Sequence, residues 1–240
     1  MIGINNRFVN WQFREAVMPL EENTIDVWRI CVSEHLPNLS FFYEQLPDSE
    51  KATAEKYKQE ADYRRYIMAH GGLRYLLSHY THTAATQLGI EIDEQGKPYL
   101  KDSDIHFNIS HSGNFILIAF GYDPVGIDVE ERKENVDWQG LIQKIGDNTE
   151  QEYVKTAETP TDNFFIIWTR KEALLKAIGV GLVNNLPSIK VMMYKYRASV
   201  HDPFYKIDTF HCARGYQASI AYTKKPFINY LQFQKHFCKG

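Results

Sequence analysis

The sequence has few cysteines, no long apolar run and no excess of positive charge. Its three cysteines, Cys31, Cys212 and Cys238, are widely spaced and form no CxxC pair. This pattern predicts reduced thiols in a cytoplasmic protein and argues against a disulfide framework or a zinc site. The most apolar run, 115–120, is far shorter than the roughly 20 residues that span a bilayer. The first residues also lack the apolar stretch of a signal peptide, so we expect neither membrane insertion nor secretion.

The charge and composition are those of an ordinary folded protein. Lys and Arg total 27 against 30 Asp and Glu, giving a net charge of −3. No global basic field exists to hold nucleic acid by phosphate neutralisation. The aromatic content, 14 Phe, 15 Tyr and 4 Trp, can build a core, which argues against disorder. A chain of 240 residues suffices for one large domain or two small ones.

Helices and strands are predicted in both halves of the chain. Apolar patterning predicts strands at 25–32, 106–109, 115–120, 125–129, 188–196, 204–209 and 217–222. Helical spacing predicts helices at 50–79, 138–145, 150–157 and 162–178, and turn formers predict a loop at 110–114. Asp123-Pro124, near the midpoint, is the predicted domain boundary. We therefore expect an α+β protein with an N-terminal lobe, 1–122, and a C-terminal lobe, 123–240.

The segment Gly126-Ile127-Asp128-Val129-Glu130 places two carboxylates next to each other. Residues two apart on a strand point to the same face, so Asp128 and Glu130 share one face. Two close carboxylates repel each other unless a cation lies between them, and an oxygen-liganded cation such as Mg²⁺ would satisfy both. The alternative is that both are solvated carboxylates at the end of an edge strand.

The segment 168–176, WTRKEALLK, places three functional side chains on one helical face. Trp168, Glu172 and Lys176 are spaced by four residues. Glu172 can add a third carboxylate to the strand pair, and Lys176 can reach a phosphate. The alternative is a solvated Glu–Lys pair on a helix surface.

Two further segments can contact phosphate groups. Ser110 and His111 lie in ISHSG, where hydroxyl, imidazole and backbone N–H groups can donate to phosphate oxygens. A hydrolase with Ser110 as nucleophile is disfavoured, because neighbouring residues rarely aim at one another as nucleophile and base. Lys97, between Gly96 and Pro98, is either a phosphate contact or a solvated turn lysine.

Taken together, these motifs resemble a 4′-phosphopantetheinyl transferase of the larger, pseudo-dimeric class that serves surfactin-type and other carrier proteins. Four motifs occur in the family's order: Gly96-Lys97-Pro98, His106-Phe107-Asn108-Ile109-Ser110-His111-Ser112-Gly113, Gly126-Ile127-Asp128-Val129-Glu130, and Trp168 with Lys171, Glu172 and Lys176. The first 95 residues match less closely, through Lys51, Asp62, Arg65 and Arg74.

The resemblance implies both a fold and a reaction. It implies two similar α+β lobes related by a pseudo-twofold axis, each with helices on a small, mainly antiparallel sheet, with coenzyme A bound between them. It implies transfer of the phosphopantetheinyl group from coenzyme A to a serine of an apo acyl, peptidyl or aryl carrier protein, with Mg²⁺ as cofactor and 3′,5′-ADP as the second product. It further implies a monomer. The net charge and the short apolar runs described above predict that the protein binds neither nucleic acid nor membrane.

The resemblance also implies roles for individual residues. The metal ligands are Asp128, Glu130 and Glu172, and the catalytic residues are Glu172 and Lys176. The implied contacts to coenzyme A are Lys51, Arg65, Lys97, Ser110, His111, Lys171 and Lys176. Glu150 occupies the place of another acidic residue often found in the family, and Arg170 is predicted to be an exposed contact for the carrier protein.

Two other functions remain open from the residues. One is a different Mg²⁺-dependent phosphoryl-transfer enzyme, such as a nuclease or phosphohydrolase, that uses the same three carboxylates. The other is a non-catalytic module that binds carrier proteins. Release of phosphate or nucleotides without carrier modification would favour the first, and binding of coenzyme A without turnover would favour the second.

Overall fold

The computed structural model of the chain describes residues 4–181, 185–192, 196 and 203–238. The helices are α1 (Val32–His35), α2 (Leu39–Glu44), α3 (Asp48–Ala54), α4 (Glu60–Thr81), α5 (Trp138–Ile145), α6 (Asn148–Lys155) and α7 (Pro160–Ile178). The strands are β1 (Asn6–Phe8), β2 (Thr24–Cys31), β3 (Ile90–Ile92), β4 (Pro98–Leu100), β5 (His106–Ser112), β6 (Phe115–Gly121), β7 (Val125–Glu131), β8 (Lys206–Ala213), β9 (Tyr216–Tyr222) and β10 (Phe227–Gln232). Within these ranges, no helix has the length and apolar character needed to cross a membrane.

The chain forms two compact units, and each draws on segments that are distant in sequence. The first unit contains residues 1–9, 94–97 and 123–225, and the second contains 10–93, 98–122 and 226–240. The two ends of the chain each join the unit formed mainly by the other half, because β1 pairs with β8 and β10 pairs with β2. The units therefore differ from the predicted lobes 1–122 and 123–240 at both ends of the chain and at residues 94–97.

The second unit packs a long helix on a mainly antiparallel sheet. In its described part the strand order is β10-β2-β6-β5, with only the β10–β2 pair parallel. Buried side chains of α4, among them Leu73, Leu76 and Leu77, form one core with residues of β2 and β6. Gly71 allows close approach within this unit, since a Cβ there would lie 2.2 Å from the carbonyl oxygen of Phe42 in α2.

The first unit follows a similar plan around α7. In its described part the strand order is β1-β8-β9-β7, so β7 lies at one edge. The core joins α7 to α5 and α6 through Ile142, Val154, Ile167 and Leu174. A capping box begins α6: the Asp147 carboxylate accepts the backbone N–H of residue 150, and the Glu150 carboxylate accepts that of residue 147.

The predicted α+β class is confirmed, and two local predictions are wrong. The predicted helix at 50–79 is two helices, α3 and α4, separated by residues 55–59. Residues 110–112 continue β5 instead of forming a loop, and a two-residue turn with Gly113 at a φ of 51° leads into β6. Strand β10 was not predicted at all. The predicted strand 188–196 lies partly outside the described residues; Ser188 ends a 3₁₀ turn, and Tyr196 forms an isolated bridge with Tyr205.

Candidate active site

Strand β7 presents the two carboxylates of the sequence motif on one face. The strand pairs antiparallel with β9, with Asp128 opposite Ser219 and Glu130 opposite Gln217. Because residues alternate between faces along a strand, Asp128 and Glu130 point to the same side. Asp128 is almost completely buried and Glu130 is half-buried. The two acids therefore lie where charge is poorly solvated.

A glycine brings helix α7 against this strand. A Cβ on Gly126 would lie 2.1 Å from the carbonyl oxygen of Ala173 and 2.3 Å from the backbone nitrogen of Ala177. Real carbon atoms do not approach that closely, so only glycine permits this spacing between β7 and α7. The glycine that begins the GIDVE motif thus sets the distance between the strand and the helix.

Helix α7 aligns three side chains with the carboxylates of β7. At one end the Trp168 Nε1–H donates to Glu130 Oε1 at 3.2 Å. At the other end Lys176 Nζ donates to Asp128 Oδ1 at 2.7 Å and to the Ile127 carbonyl at 3.3 Å. Glu172 lies between Trp168 and Lys176 on the same helical face, one turn from each. The predicted grouping of strand acids and helix face is present.

Electrostatics couple Glu172 to this group. Burial raises the pKa of Glu172, and the nearby charges of Asp128 and, to a smaller extent, Glu130 raise it further, whereas Lys176 opposes the shift. Three acids that influence one another in a poorly solvated place create a negative site. Such a site attracts a cation or accepts a proton.

The three carboxylates fit Mg²⁺ by donor chemistry. All their ligand atoms are oxygens, which hard divalent cations prefer. In the described part of the chain, no three His, Cys, Asp or Glu side chains converge closely enough to hold a metal ion. Asp128 instead faces Lys176, and Glu130 faces Trp168. The ligand set Asp128, Glu130 and Glu172 therefore stays a prediction. These side chains would have to rotate before all three could bind one metal ion.

Lys97 lies in the first unit, at the end of helix α7. It follows Gly96, which has a φ of 88°, in the turn between β3 and β4. Its Nζ donates to the Ala177 carbonyl at 3.2 Å, and its side chain packs 3.3 Å from the Cβ position of Gly179. A cation at a helix C-terminus is favoured by the helix dipole. The contact therefore places the Lys97 ammonium at Ala177, the residue that follows Lys176.

Four of the other predicted contacts to coenzyme A, Lys51, Arg65, Ser110 and His111, belong to the second unit. Ser110 is buried and His111 is exposed, on adjacent and therefore opposite-facing positions of β5. Lys51 Nζ lies 5.3 Å from the ring of Tyr43, and an Arg65 nitrogen lies 3.5 Å from an Asp62 oxygen. The roles of these four residues in binding coenzyme A stay predictions.

Lys171 and Arg170 do not have the surroundings that were predicted for them. The Lys171 ammonium is fully buried, 2.8 Å from Glu150 Oε2, and donates to the carbonyls of Leu186 and Ile189. Burial lowers the pKa of Lys171, and Glu150 opposes that shift. With its three donors used inside the protein, Lys171 is not available to coenzyme A. The helix places it on the face away from the carboxylates.

Arg170 is likewise buried rather than exposed. Its guanidinium donates to the carbonyls of Val191 and Ile207 and to the hydroxyl of Thr209. Burial lowers its pKa to about 10. The predicted carrier-protein contact at Arg170 is therefore wrong, because this side chain holds the helix to neighbouring backbone.

Two features of the site were missed from the sequence. The structural role of Glu150 is the first: it is fully buried and accepts from the backbone N–H of Val191 as well as from Lys171. The packing role of Gly126 was also missed. A glycine inside a strand pattern signals close backbone approach, so that signal was present in the sequence.

Comparison with known proteins identifies relatives of both halves of the chain. Residues 124–221 match the family model described as the 4′-phosphopantetheinyl transferase superfamily. Residues 31–121 match the model described as 4′-phosphopantetheinyl transferase, N-terminal. The first range contains β7 and α7, and the second contains α4 and β5.

Individual relatives cover most of the chain. The 4′-phosphopantetheinyl transferase HetI of a Nostoc species is 30% identical over 181 residues, which are 72% of this chain and 76% of that protein. The 4′-phosphopantetheinyl transferase Sfp of Bacillus subtilis is 27% identical over 188 residues, 75% of this chain and 83% of that protein. The L-aminoadipate-semialdehyde dehydrogenase-phosphopantetheinyl transferase of Schizosaccharomyces pombe is 26% identical over 171 residues, 64% of this chain and 66% of that protein.

Proposed function

The chain belongs to the 4′-phosphopantetheinyl transferase superfamily, as an enzyme of the Sfp-like class, and we propose that it transfers the 4′-phosphopantetheinyl group from coenzyme A to a serine of an apo carrier protein. The second product is 3′,5′-ADP, and the reaction depends on Mg²⁺. The observation that carries this proposal is the alignment of Trp168, Glu172 and Lys176 on α7 with Asp128 and Glu130 on β7.

The reaction exchanges one phosphorus–oxygen bond for another. The serine oxygen of the carrier forms a bond to the phosphorus that bears the pantetheine arm. The bond from this phosphorus to the bridging pyrophosphate oxygen breaks, and that oxygen leaves as part of 3′,5′-ADP. The serine proton passes to a base. The protein must therefore offset negative charge on the leaving group and accept one proton.

Asp128, Glu130 and Glu172 would hold Mg²⁺ beside the pyrophosphate. When bound, Mg²⁺ supplies charge neutralisation to the pyrophosphate oxygens. Lys176, whose ammonium already lies at Asp128, is close enough to the same position to offset charge on the leaving phosphate. Lys176 and the metal ion held by the carboxylates would therefore both offset charge on the pyrophosphate.

Glu172 combines two roles in this proposal, metal ligand and base for the serine proton. In this proposal the Glu172 carboxylate accepts the serine proton directly or through a water molecule. We predict that Glu172→Gln reduces turnover far more than it weakens binding of coenzyme A. The measurement is single-turnover carrier modification beside calorimetric titration of coenzyme A. Comparable losses in both would remove the base role.

Coenzyme A binding extends beyond these residues in the proposal. Lys97, Ser110 and His111 contact coenzyme A, and Lys51 and Arg65 lie near its 3′-phosphate. Carrier proteins of this kind are usually acidic, and the partner is an apo acyl, peptidyl or aryl carrier. A monomeric state and a cytoplasmic location stay predictions as well.

The test is product analysis with apo carrier proteins. The protein is incubated with coenzyme A, Mg²⁺ and a panel of apo carriers, and both carrier mass and 3′,5′-ADP are quantified. The proposal expects one phosphopantetheinyl group per carrier and an equal molar amount of 3′,5′-ADP. Phosphate or nucleotide release without carrier modification would instead identify a phosphohydrolase. Metal-dependent coenzyme A binding without either product would identify a non-catalytic binding module.

A further inference from the structure

The contact between Trp168 and Glu130 differs in kind from the contact between Lys176 and Asp128. Both join α7 to a carboxylate of β7. The Lys176 ammonium is a cation, so it competes with a metal ion for the Asp128 oxygen. The Trp168 indole N–H is a neutral donor with no acceptor capacity. It can hold one oxygen of Glu130 in place without cancelling the charge that attracts a metal.

Packing fixes the indole in this position. Trp168 is half-buried against the core of the first unit. Its ring lies nearly parallel to that of Phe164, one turn earlier, with centroids 6.5 Å apart and 18° between the planes. The close approach of α7 to β7 at Gly126 sets the distance that the N–H must span. The donor is therefore pre-positioned by helix and core.

A carboxylate can accept this hydrogen bond and bind a metal ion at the same time. It has two oxygens and about four lone-pair positions. Glutamate also has several rotatable bonds, and ordering them opposes metal binding. A fixed neutral donor on one oxygen removes part of that cost. Groups that orient a metal ligand in this way typically affect metal affinity by about 10- to 100-fold when they are removed.

We propose that Trp168 is a positioning residue whose indole N–H orients Glu130 as a metal ligand and thereby sets the metal affinity of the site. This inference rests on the proposed function, because it assumes that Glu130 binds the metal ion. It assigns Trp168 no contact with coenzyme A or with the reacting atoms.

The first test measures metal binding rather than turnover. Mn²⁺ is titrated into the full-length protein without coenzyme A, and free Mn²⁺ is followed by electron paramagnetic resonance. Trp168→Phe keeps an aromatic ring but removes the donor, so we expect its Mn²⁺ dissociation constant to rise about tenfold. Trp138→Phe, on α5, is the matched control and is expected to bind as the wild type does. Thermal unfolding should show that Trp168→Phe remains folded.

The second test observes the hydrogen bond without any metal. The indole N–H resonance of Trp168 is identified by its loss in Trp168→Phe. We expect it to shift in Glu130→Ala and to stay in place in Glu131→Ala, because Glu131 accepts instead from the Tyr216 hydroxyl at 2.8 Å. This comparison reports the contact whether or not the site binds metal.

The outcomes separate the inference from the proposed function. Weaker Mn²⁺ binding by Trp168→Phe, together with the shifted resonance, supports the positioning role. Normal Mn²⁺ binding by both wild type and Trp168→Phe overturns the positioning role alone. An indole resonance that Glu130→Ala leaves unchanged also overturns it. Absence of Mn²⁺ binding by the wild type overturns the inference together with the metal dependence of the proposed function.

Discussion

Replacing Gly126 by alanine should push strand β7 and helix α7 apart. The added methyl carbon would lie 2.1 Å from the Ala173 carbonyl oxygen and 2.3 Å from the Ala177 nitrogen. Both are backbone atoms of α7, so no side-chain rotation relieves the overlap. Ordinary contact needs more than 3 Å, and the spacing must therefore open by about 1 Å.

The substitution should have two separate effects, one on stability and one on activity. Overpacking of a well-packed interface costs about 1–3 kcal/mol in the free energy of unfolding. The same shift moves Asp128 and Glu130 away from the face of α7 that carries Glu172 and Lys176. A misplacement of about 1 Å in a catalytic group can reduce the rate by about 100-fold. We therefore expect Gly126→Ala to lose far more activity than its loss of stability explains.

Two glycines of the second unit supply controls. Gly71→Ala creates a similar clash, 2.2 Å from the Phe42 carbonyl oxygen, but the clash falls within the second unit, whereas the carboxylates belong to the first. Gly89→Ala meets only ordinary contacts, at 3.4 Å or more. Urea unfolding and the initial rate of carrier modification are measured on all three variants under conditions where each is folded. If Gly126→Ala and Gly71→Ala lose activity equally, the spacing between α7 and β7 does not control the site.

Two buried groups that are not part of the carboxylate cluster yield further predictions. Lys171→Met should lower the free energy of unfolding by about 3–5 kcal/mol, because it leaves the Glu150 charge buried and unpaired; urea unfolding checks this, and an effect no larger than that of exposed Lys155→Met would contradict it. The buried imidazole of His35 has a pKa lowered by burial from its ordinary value of 6.5, so the unfolded chain binds the proton more readily. The stability that depends on neutral His35 should be complete above about pH 6.5 and decline as the pH falls. The free energies of unfolding of wild type and His35→Phe are compared at pH 7.5 and 5.5, and the wild type should lose more stability at pH 5.5 than the variant does. An equal loss in both proteins would refute the lowered pKa of His35.

The alternation of residues along a strand and the four-residue spacing along a helix were sufficient to predict the core of the site. The alternation of Asp128 and Glu130 with apolar residues predicts strand β7 and the face that its acids share, and the structure contains both. The four-residue spacing of Glu172 and Lys176 predicts one face of a helix, and α7 provides it. These patterns are local, and they depend only on backbone geometry that strands and helices always adopt.

Tertiary surroundings could not be predicted in the same way. Helical spacing shows that Arg170 and Lys171 lie away from Glu172, but not that this face of α7 is covered. Both side chains are buried where they donate to backbone carbonyls, Arg170 to that of Val191 and Lys171 to that of Leu186. Every residue has a backbone carbonyl, so the sequence does not show which of them will accept these hydrogen bonds. The residues around Ser110 prefer turns, so the sequence predicted a loop there. In the structure they extend β5, because pairing with β6 overrides their preference for a turn.

The central claim is that Asp128 and its partners on α7 carry the metal-dependent transfer. The decisive measurement is the single-turnover rate of carrier modification, followed by intact mass across a Mg²⁺ titration, for wild type, Asp128→Asn and Glu131→Gln. Asp128 and Glu131 lie on the same strand, but Glu131 faces away from the acids and binds Tyr216. We expect Mg²⁺-dependent modification by the wild type and Glu131→Gln, and a loss of at least about 100-fold in Asp128→Asn. Equal rates in all three proteins, or modification that is independent of Mg²⁺, would contradict the account.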